Sequence, residues 1–366
     1  MDLNTIKKDK GWQPFFDTNP FNNNFVEGFL SHVSDDTYGA LFIEKVNGDK
    51  IPQLVLCTPK LNYPFDKAGH WQFPKAKTIL RFEKLDGTNI FAYSYSDEKQ
   101  SFRTYKTRLR PFVGDTKFGP FLDMWKEILS EDKRIKRLLY YPLNFSFELY
   151  GARNKHLIQY DVALAAALLF ARDGQRILPP TEINNPIDCH TTLLLGRITK
   201  DYVGEYQQAQ ESLEMELKEV DGGYKGREGE VWYLQTEDNI WHLYKVKPHT
   251  IEIIHWAFGG IGKNVIITTC QNAFESWDEP TVEQIKELLK EEFSDNEIEN
   301  VHYRIGKHLE EVKLQHIFQL EVLEKYKETG LNFLDDSSKV MRALSGKLDR
   351  KMMGRVFSIL QLHTSK

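Results

Sequence analysis

Two hydrophobic spacings divide the chain. Up to about residue 275, short aromatic and β-branched runs alternate with turn-forming residues, the spacing of β-strands. Residues 78–82, 90–95, 145–149, 230–234 and 241–246 read as strands, as do 41–46 and 53–57. Turn signals at Leu85-Asp86-Gly87 and at 221–223 separate them. One helical stretch, 120–139, lies between. Strands interrupted irregularly by helices predict an α+β domain of antiparallel sheet rather than repeated βαβ units.

Beyond that point the period becomes helical. Thr281 and Gln284 have capping-box spacing, and Val282, Ile285, Leu288 and Leu289 follow on one face. Ile298, Val301, Ile305, Leu309, Val312, Leu320 and Leu323 continue the pattern, and Gly330 is placed to end it. Val340, Met341, Leu344, Leu348, Met352, Val356 and Ile359 mark a last helical stretch. The spacing predicts an α+β domain over 1–270 and a small all-helical domain over 275–366.

Composition narrows the class. The chain has 366 residues, 41% hydrophobic and 28% charged, which is enough apolar material for real cores. The longest apolar run, 162–171, is half of the ~20 residues a membrane helix needs, so it reads as a buried element. The first 20 residues lack the apolar stretch of a secretory signal. A cytoplasmic protein without membrane association is expected. Three scattered cysteines, Cys57, Cys189 and Cys270, exclude a disulfide framework. With a formal charge of −5, any nucleic-acid site is a local patch rather than a global basic surface.

The chemistry concentrates in Glu83-Lys84-Leu85-Asp86-Gly87-Thr88-Asn89, between two strand-like runs. A lysine at such a turn becomes a nucleophile once its ammonium loses a proton. Alone, the tetrapeptide reads equally as a hairpin turn with a solvated lysine. Further along, Glu148 sits within Phe147-Glu148-Leu149-Tyr150-Gly151, and Glu228 opens Glu228-Gly229-Glu230-Val231. Lys245 and Lys247 alternate on one strand, so period two sends both to one face. Each has a bland reading by itself, as an edge carboxylate, a turn or a solvated strand face.

In this order the four segments resemble the covalent nucleotidyltransferases, the superfamily of ATP-dependent nucleic-acid ligases and messenger-RNA capping enzymes. The likeness is greatest to RNA ligases, whose first motif often runs Glu-Lys-x-x-Gly-Thr-Asn, and it covers roughly residues 75–250. It implies that residues 1–270 form an adenylation domain in which Lys84 attacks the α-phosphate of ATP and becomes lysyl-AMP. It implies further that Glu83 reads the adenine amino group, that Glu148 holds the ribose or a metal, and that Glu228 acts at the metal or catalytic end. Lys245 and Lys247 neutralise phosphate charge, and Asp86, Gly87 and Asn89 shape the pocket. The family's basic residue on the strand after the first motif matches Arg108, within Lys106-Thr107-Arg108. Its adenine-stacking aromatic matches Phe170, for which a core phenylalanine is the alternative reading.

Carboxylates plus ATP phosphates form a hard oxygen site suited to magnesium, with manganese as a substitute. His302, His308 and Cys189-His190 lack metal-ligand spacing and read as structural. The basic runs 103–110 and 133–137 could track phosphates, although the second equally suits a helix C-terminus or a solvated face. A capping enzyme or most DNA ligases would continue after Lys247 into a five-stranded barrel, and no such pattern follows. The resemblance therefore points to an RNA ligase of the phage or archaeal type with a helical C-terminal domain. Such an enzyme joins RNA 5′-phosphate and 3′-hydroxyl ends in repair or processing, and its helical domain is a candidate homodimer surface. The alternatives are a ligase of nicked duplex DNA or of RNA/DNA hybrids, and a non-catalytic RNA-end-binding module.

Overall fold

The computed structural model describes residues 6, 9, 11–33, 35–65, 70–115, 120–138, 140–154, 156–183, 190–220, 223–248, 250, 261, 263–274, 276–290, 293 and 295–364. Residue 139, Cys189 and positions 221–222 of the expected turn lie outside them. Two compact units emerge: the described residues through Thr250 form one, and those from Ile261 onward the other.

The first unit is α+β with antiparallel sheets, as its alternating runs predict. Strands β1 (Trp12–Thr18), β2 (Phe25–Ser31), β3 (Leu41–Val46) and β4 (Asp49–Val55) form a meander in chain order. Next come β5 (Ala76–Lys84), β6 (Thr88–Ser96), β7 (Ser101–Lys106), helices α1 (Phe121–Glu131) and α2 (Lys133–Leu138), and strands β8 (Asn144–Tyr150), β9 (Ala165–Asp173) and β10 (Arg176–Leu178). They are followed by β11 (Leu194–Ile198), α3 (Tyr202–Glu216), the short ribbon β12 (Lys218–Val220) and β13 (Gly223–Lys225), then β14 (Gly229–Thr236) and β15 (Trp241–Val246). One sheet has the order β10-β9-β8-β6-β7 and another β11-β5-β14-β15.

The expected helix over 120–139 is two helices. Asp132 separates them because its carboxylate accepts the amides of Arg134 and Ile135, which starts a new helix there. The first of the two buries Phe121, Met124, Trp125 and Ile128, a helical stripe packed on Ile90, Phe145, Phe147 and Leu149 of the five-stranded sheet.

The β11-β5-β14-β15 sheet has two unlike faces. Ile79, Ile198, Trp232, Leu234 and Val246 point to one side and pack on Tyr206, Ala209 and Leu213 of α3. Register places Lys84 opposite Gly229 and Val231 opposite Lys245, so both lysines fall on the other side. On the helix-covered side, Glu230 is fully buried between Arg81 and Trp232. Arg81 Nε and Nη2 each donate to it at 2.8 Å, and Trp232 Nε1 donates at 2.8 Å.

The second unit holds α4 (Lys263–Ala273), α5 (Val282–Leu289), α6 (Asp295–Asn300), α7 (His302–Thr329), α8 (Ser337–Leu344) and α9 (Met353–Thr364). Its helices begin before residue 275, because the apolar run at 264–270 lies inside α4. The Thr281–Gln284 capping box forms, and Gly330 ends α7 with a φ of 62°. Among the described residues no strand follows β15, and no helix is long and apolar enough to cross a membrane.

Replacing Glu230 by Ala leaves Trp232 Nε1 without its acceptor, while Arg81 keeps Glu205 at 3.6 Å and some contact with solvent. Equilibrium urea unfolding of Glu230→Ala is expected to show a loss of about 1–3 kcal/mol, the usual cost of a buried donor left unsatisfied.

Candidate active site

Lys84 is the last residue of β5, and β6 begins at Thr88. The intervening turn needs its glycine for space: a Cβ at Gly87 would lie 2.2 Å from the Leu149 carbonyl oxygen. The turn therefore lies directly on the end of β8. Asp86 fixes it at both ends, its amide donating to Tyr160 Oη at 2.7 Å and its Oδ2 accepting from the Ile158 amide at 2.8 Å.

Lys84 Nζ donates to Glu228 Oε2 at 2.5 Å, and Lys247 Nζ lies 3.5 Å from Glu228 Oε1. Glu228, just before β14, thus bridges two ammonium groups at the ends of β5 and β15, the strands on either side of β14. Lys245 is buried beside them with its Nζ 4.5 Å from the centre of the Tyr63 ring. Burial alone would raise the Glu228 carboxyl, but Lys84, Lys247 and Lys245 outweigh it and hold the group below the ordinary carboxylate range.

Glu148 pairs with Asn89 across β8 and β6. Burial pushes its carboxyl up to about 7, with the Glu228 charge adding to the rise and Lys84, His156 and Arg108 opposing it. Asp86 is likewise raised by burial and by Glu228, against His156, Lys84 and the Ile158 amide. One field therefore joins Lys84, Asp86, Glu148, His156 and Glu228. Asn89 is held by Thr58, Ser146 and the Phe147 carbonyl at 2.8–3.0 Å.

The remaining expected residues fall as follows. Glu83 lies on the opposite strand face from Lys84, and its Oε1 accepts from the Leu193 amide at 2.8 Å. Arg108 lies 5.6 Å from the Tyr38 ring centre, and its charge acts on Glu148. Its neighbours in the basic run do other work: Arg103 donates to the carbonyls of Leu143 and Tyr141. Lys106 is fully buried, donating to the carbonyls of Gly39, Thr107 and Arg108 at 2.7–2.9 Å. Phe170 pairs with Ser146 and shares the Asn89–Ser146 side of its sheet, and it is only 2% exposed. Sequence reasoning missed Tyr160, His156 and Asn154. Asn154 donates to Thr88 Oγ1 at 3.0 Å and to the Leu149 carbonyl at 2.6 Å. These residues belong to no periodic segment, and their one sequence signal is a cluster of polar and aromatic side chains just after Gly151.

Among the described residues no group of three or more His, Cys, Asp or Glu side chains is arranged to hold a metal. The donor set fits a cation that also takes oxygens from a nucleotide. Glu148 accepts no hydrogen bond from the described residues, and its burial disfavours an unaccompanied negative charge.

A carboxyl whose folded-state pKa exceeds its unfolded value keeps its proton longer in the folded protein. Its contribution to stability is therefore largest below pH ~4.5 and falls as pH rises toward 7. Glu148→Gln removes this penalty, on the order of 3 kcal/mol at pH ~8. The variant is expected to melt higher than the parent at pH ~8, with the difference vanishing near pH ~4.5 in a calorimetric series.

No family model matches the chain, and no curated protein does. Among solved structures it is similar to an archaeal ATP-dependent RNA ligase, with 16% identity over 88% of this chain and 78% of that one and a TM-score of 0.46. It is also similar to a protein given as an ATP-dependent DNA ligase from Aquifex aeolicus, with 16% identity over 95% and 88% of the two chains and a TM-score of 0.45. For an RNA ligase of Naegleria gruberi the likeness spans 48% of this chain and 51% of that one, at 16% identity and a TM-score of 0.34.

Proposed function

We propose that the protein is an ATP-dependent RNA ligase that joins 5′-phosphate and 3′-hydroxyl ends through lysyl-AMP and RNA-adenylate intermediates. The observation that carries this reading is the buried Lys84–Glu228–Lys247 bridge at a strand end, with Lys245 and Glu148 beside it. A solvated turn lysine, the bland reading, would not be held against a carboxylate that is itself buried under two further ammonium groups.

In the first step Lys84 Nζ, positioned by Glu228 Oε2, releases a proton to solvent, and its lone pair attacks the α-phosphorus of ATP. The new P–N bond forms as the bond to the β-phosphate oxygen breaks, and pyrophosphate leaves. Lys245 and Lys247, both buried, face the charge that develops on the phosphate oxygens. An oxygen of the RNA 5′-phosphate then attacks the same phosphorus and displaces Lys84. In the last step the 3′-hydroxyl attacks the RNA phosphate, and AMP departs. Magnesium or manganese held by Glu148, and by Glu228 once Lys84 is engaged, would offset triphosphate charge. Asp86 and Asn89 hold the nucleophile turn and its flank, and Arg108 acts on Glu148, whereas the burial of Phe170 suits the core reading of that ring.

Intact mass after incubation with ATP and magnesium is expected to show the gain of one AMP, and Lys84→Ala is expected to show none. The same variant should still seal RNA that already carries a 5′-AMP, because that step bypasses the lysine. Adenylation of Lys84→Ala at the wild-type rate would sink the assignment. Sealing compared on single-stranded RNA, nicked duplex DNA and a nicked hybrid assigns the substrate, with RNA ends expected to win.

A further inference from the structure

The sheet face that carries Lys84 extends to the far end of β5, where Thr78 and Leu80 lie on it with Gln235 and Trp241. With Arg197 and Thr199 from the end of β11, and with Thr181 and Glu182, they line a cavity of about 360 Å³. That is the size range of ligand pockets. Phe82 and Tyr233, both buried and in edge-to-face contact, close the sheet face between this cavity and Lys84. It is therefore a separate space from the nucleophile's.

The acidic group of the cavity is already matched. Glu182 Oε2 accepts from Trp241 Nε1 at 3.1 Å and lies 3.5 Å from Arg176 Nη2. The donors are not. Arg197 is exposed and has no ion pair or hydrogen bond with the described residues. Thr78 Oγ1 is shielded from solvent without a partner. A shielded hydroxyl left unpaired is unfavourable, and an acceptor in the cavity would match it. Thr181 and Thr199 add two more hydroxyls, and Lys77, held to Asn239 Oδ1 at 3.2 Å, adds positive charge at the rim. A free guanidinium facing several hydroxyls is matched by an anion with several oxygens, and phosphate has that geometry.

We infer that this cavity is a second phosphate subsite, which takes a backbone phosphate of the nucleic-acid strand whose end is at Lys84. The inference rests on the ligase reading. Six residues of strand from Thr78 to Lys84, at ~3.4 Å each, set the two places about 20 Å apart, about six steps of a stacked strand and roughly three or four of an extended one. A strand fixed at its reacting end presents this phosphate at high effective concentration, which a free phosphate ion lacks. Substrates long enough to reach the cavity are therefore held at two points and short ones at one.

The test measures binding of 5′-phosphorylated RNA of about 12 and about 2 nucleotides to the full chain across a salt series. Arg197→Ala is expected to weaken the longer RNA about fivefold and to lower the slope of log affinity against log salt by about one, with the shorter RNA unaffected. Arg197→Lys should restore most of the affinity and the slope. Unchanged binding of the longer RNA overturns the subsite, and so does an equal loss on both lengths. Binding of millimolar inorganic phosphate that Arg197→Ala abolishes, with the affinity of both RNAs unchanged, would assign the cavity to a free anion, and would also overturn it. Lysyl-AMP formation by the wild type is followed by mass on the same preparation. Its absence would count against the ligase reading while leaving the binding comparison to judge the cavity.

Discussion

The antiparallel pairing of β5 with β14 is the constraint from which the site follows. It sets Lys84 opposite Gly229, and so brings Glu228, one residue earlier, within reach of the lysine 144 positions upstream. Gly229 is needed there: a Cβ would lie 2.2 Å from the Val246 carbonyl oxygen, so any larger residue would push β15 away and take Lys247 with it. Because side chains alternate, these strands also supply Trp232, Leu234 and Val246 to the core under α3. A slip of one residue would send the lysines into that core, so the same packing that stabilises the sheet fixes the register of the chemistry.

Buried charge is handled in two ways. Around Glu228 the answer is excess cation: three lysines surround one carboxylate, which keeps it ionised despite its burial. Lys106 shows the other answer. It sits among three backbone carbonyls with no carboxylate, and its pKa is lowered by burial. It serves to fold the segment leading to Arg108 back on itself. Two lysines that look alike in sequence thus differ by their acceptors, formal charge in one case and dipoles in the other.

Much of this was legible in the sequence. Strand alternation located β5, β6, β8, β14 and β15, and the capping box and Gly330 located the ends of helices in the second unit. Lys84, Glu228 and Lys247 meet as the ordered motifs imply. What was not legible depends on partners far away in sequence. The break at Asp132 comes from a side chain competing for backbone amides within an otherwise helical pattern. The run at 264–270 is short and apolar, a kind that periodicity alone does not assign, and it is helical. Tyr160 and His156 acquire meaning only through their contacts with Asp86, and the Asp86–Tyr160 bond joins residues 74 positions apart. Within the basic run 103–110, composition could not separate the caged Lys106 from the site-facing Arg108.

The separation of 144 residues between Lys84 and Glu228 also bears on how the protein is made. Contacts this distant close late, because the entropy of ordering the intervening chain must be met before they form. On a ribosome, the segment bearing Lys84 emerges well before β14 and β15, and until those strands pair, the lysine is an ordinary side chain in water. The contact of Lys84 with Glu228 and Lys247 is therefore a product of completed folding, and chains that stall or misfold upstream of Gly229 lack it.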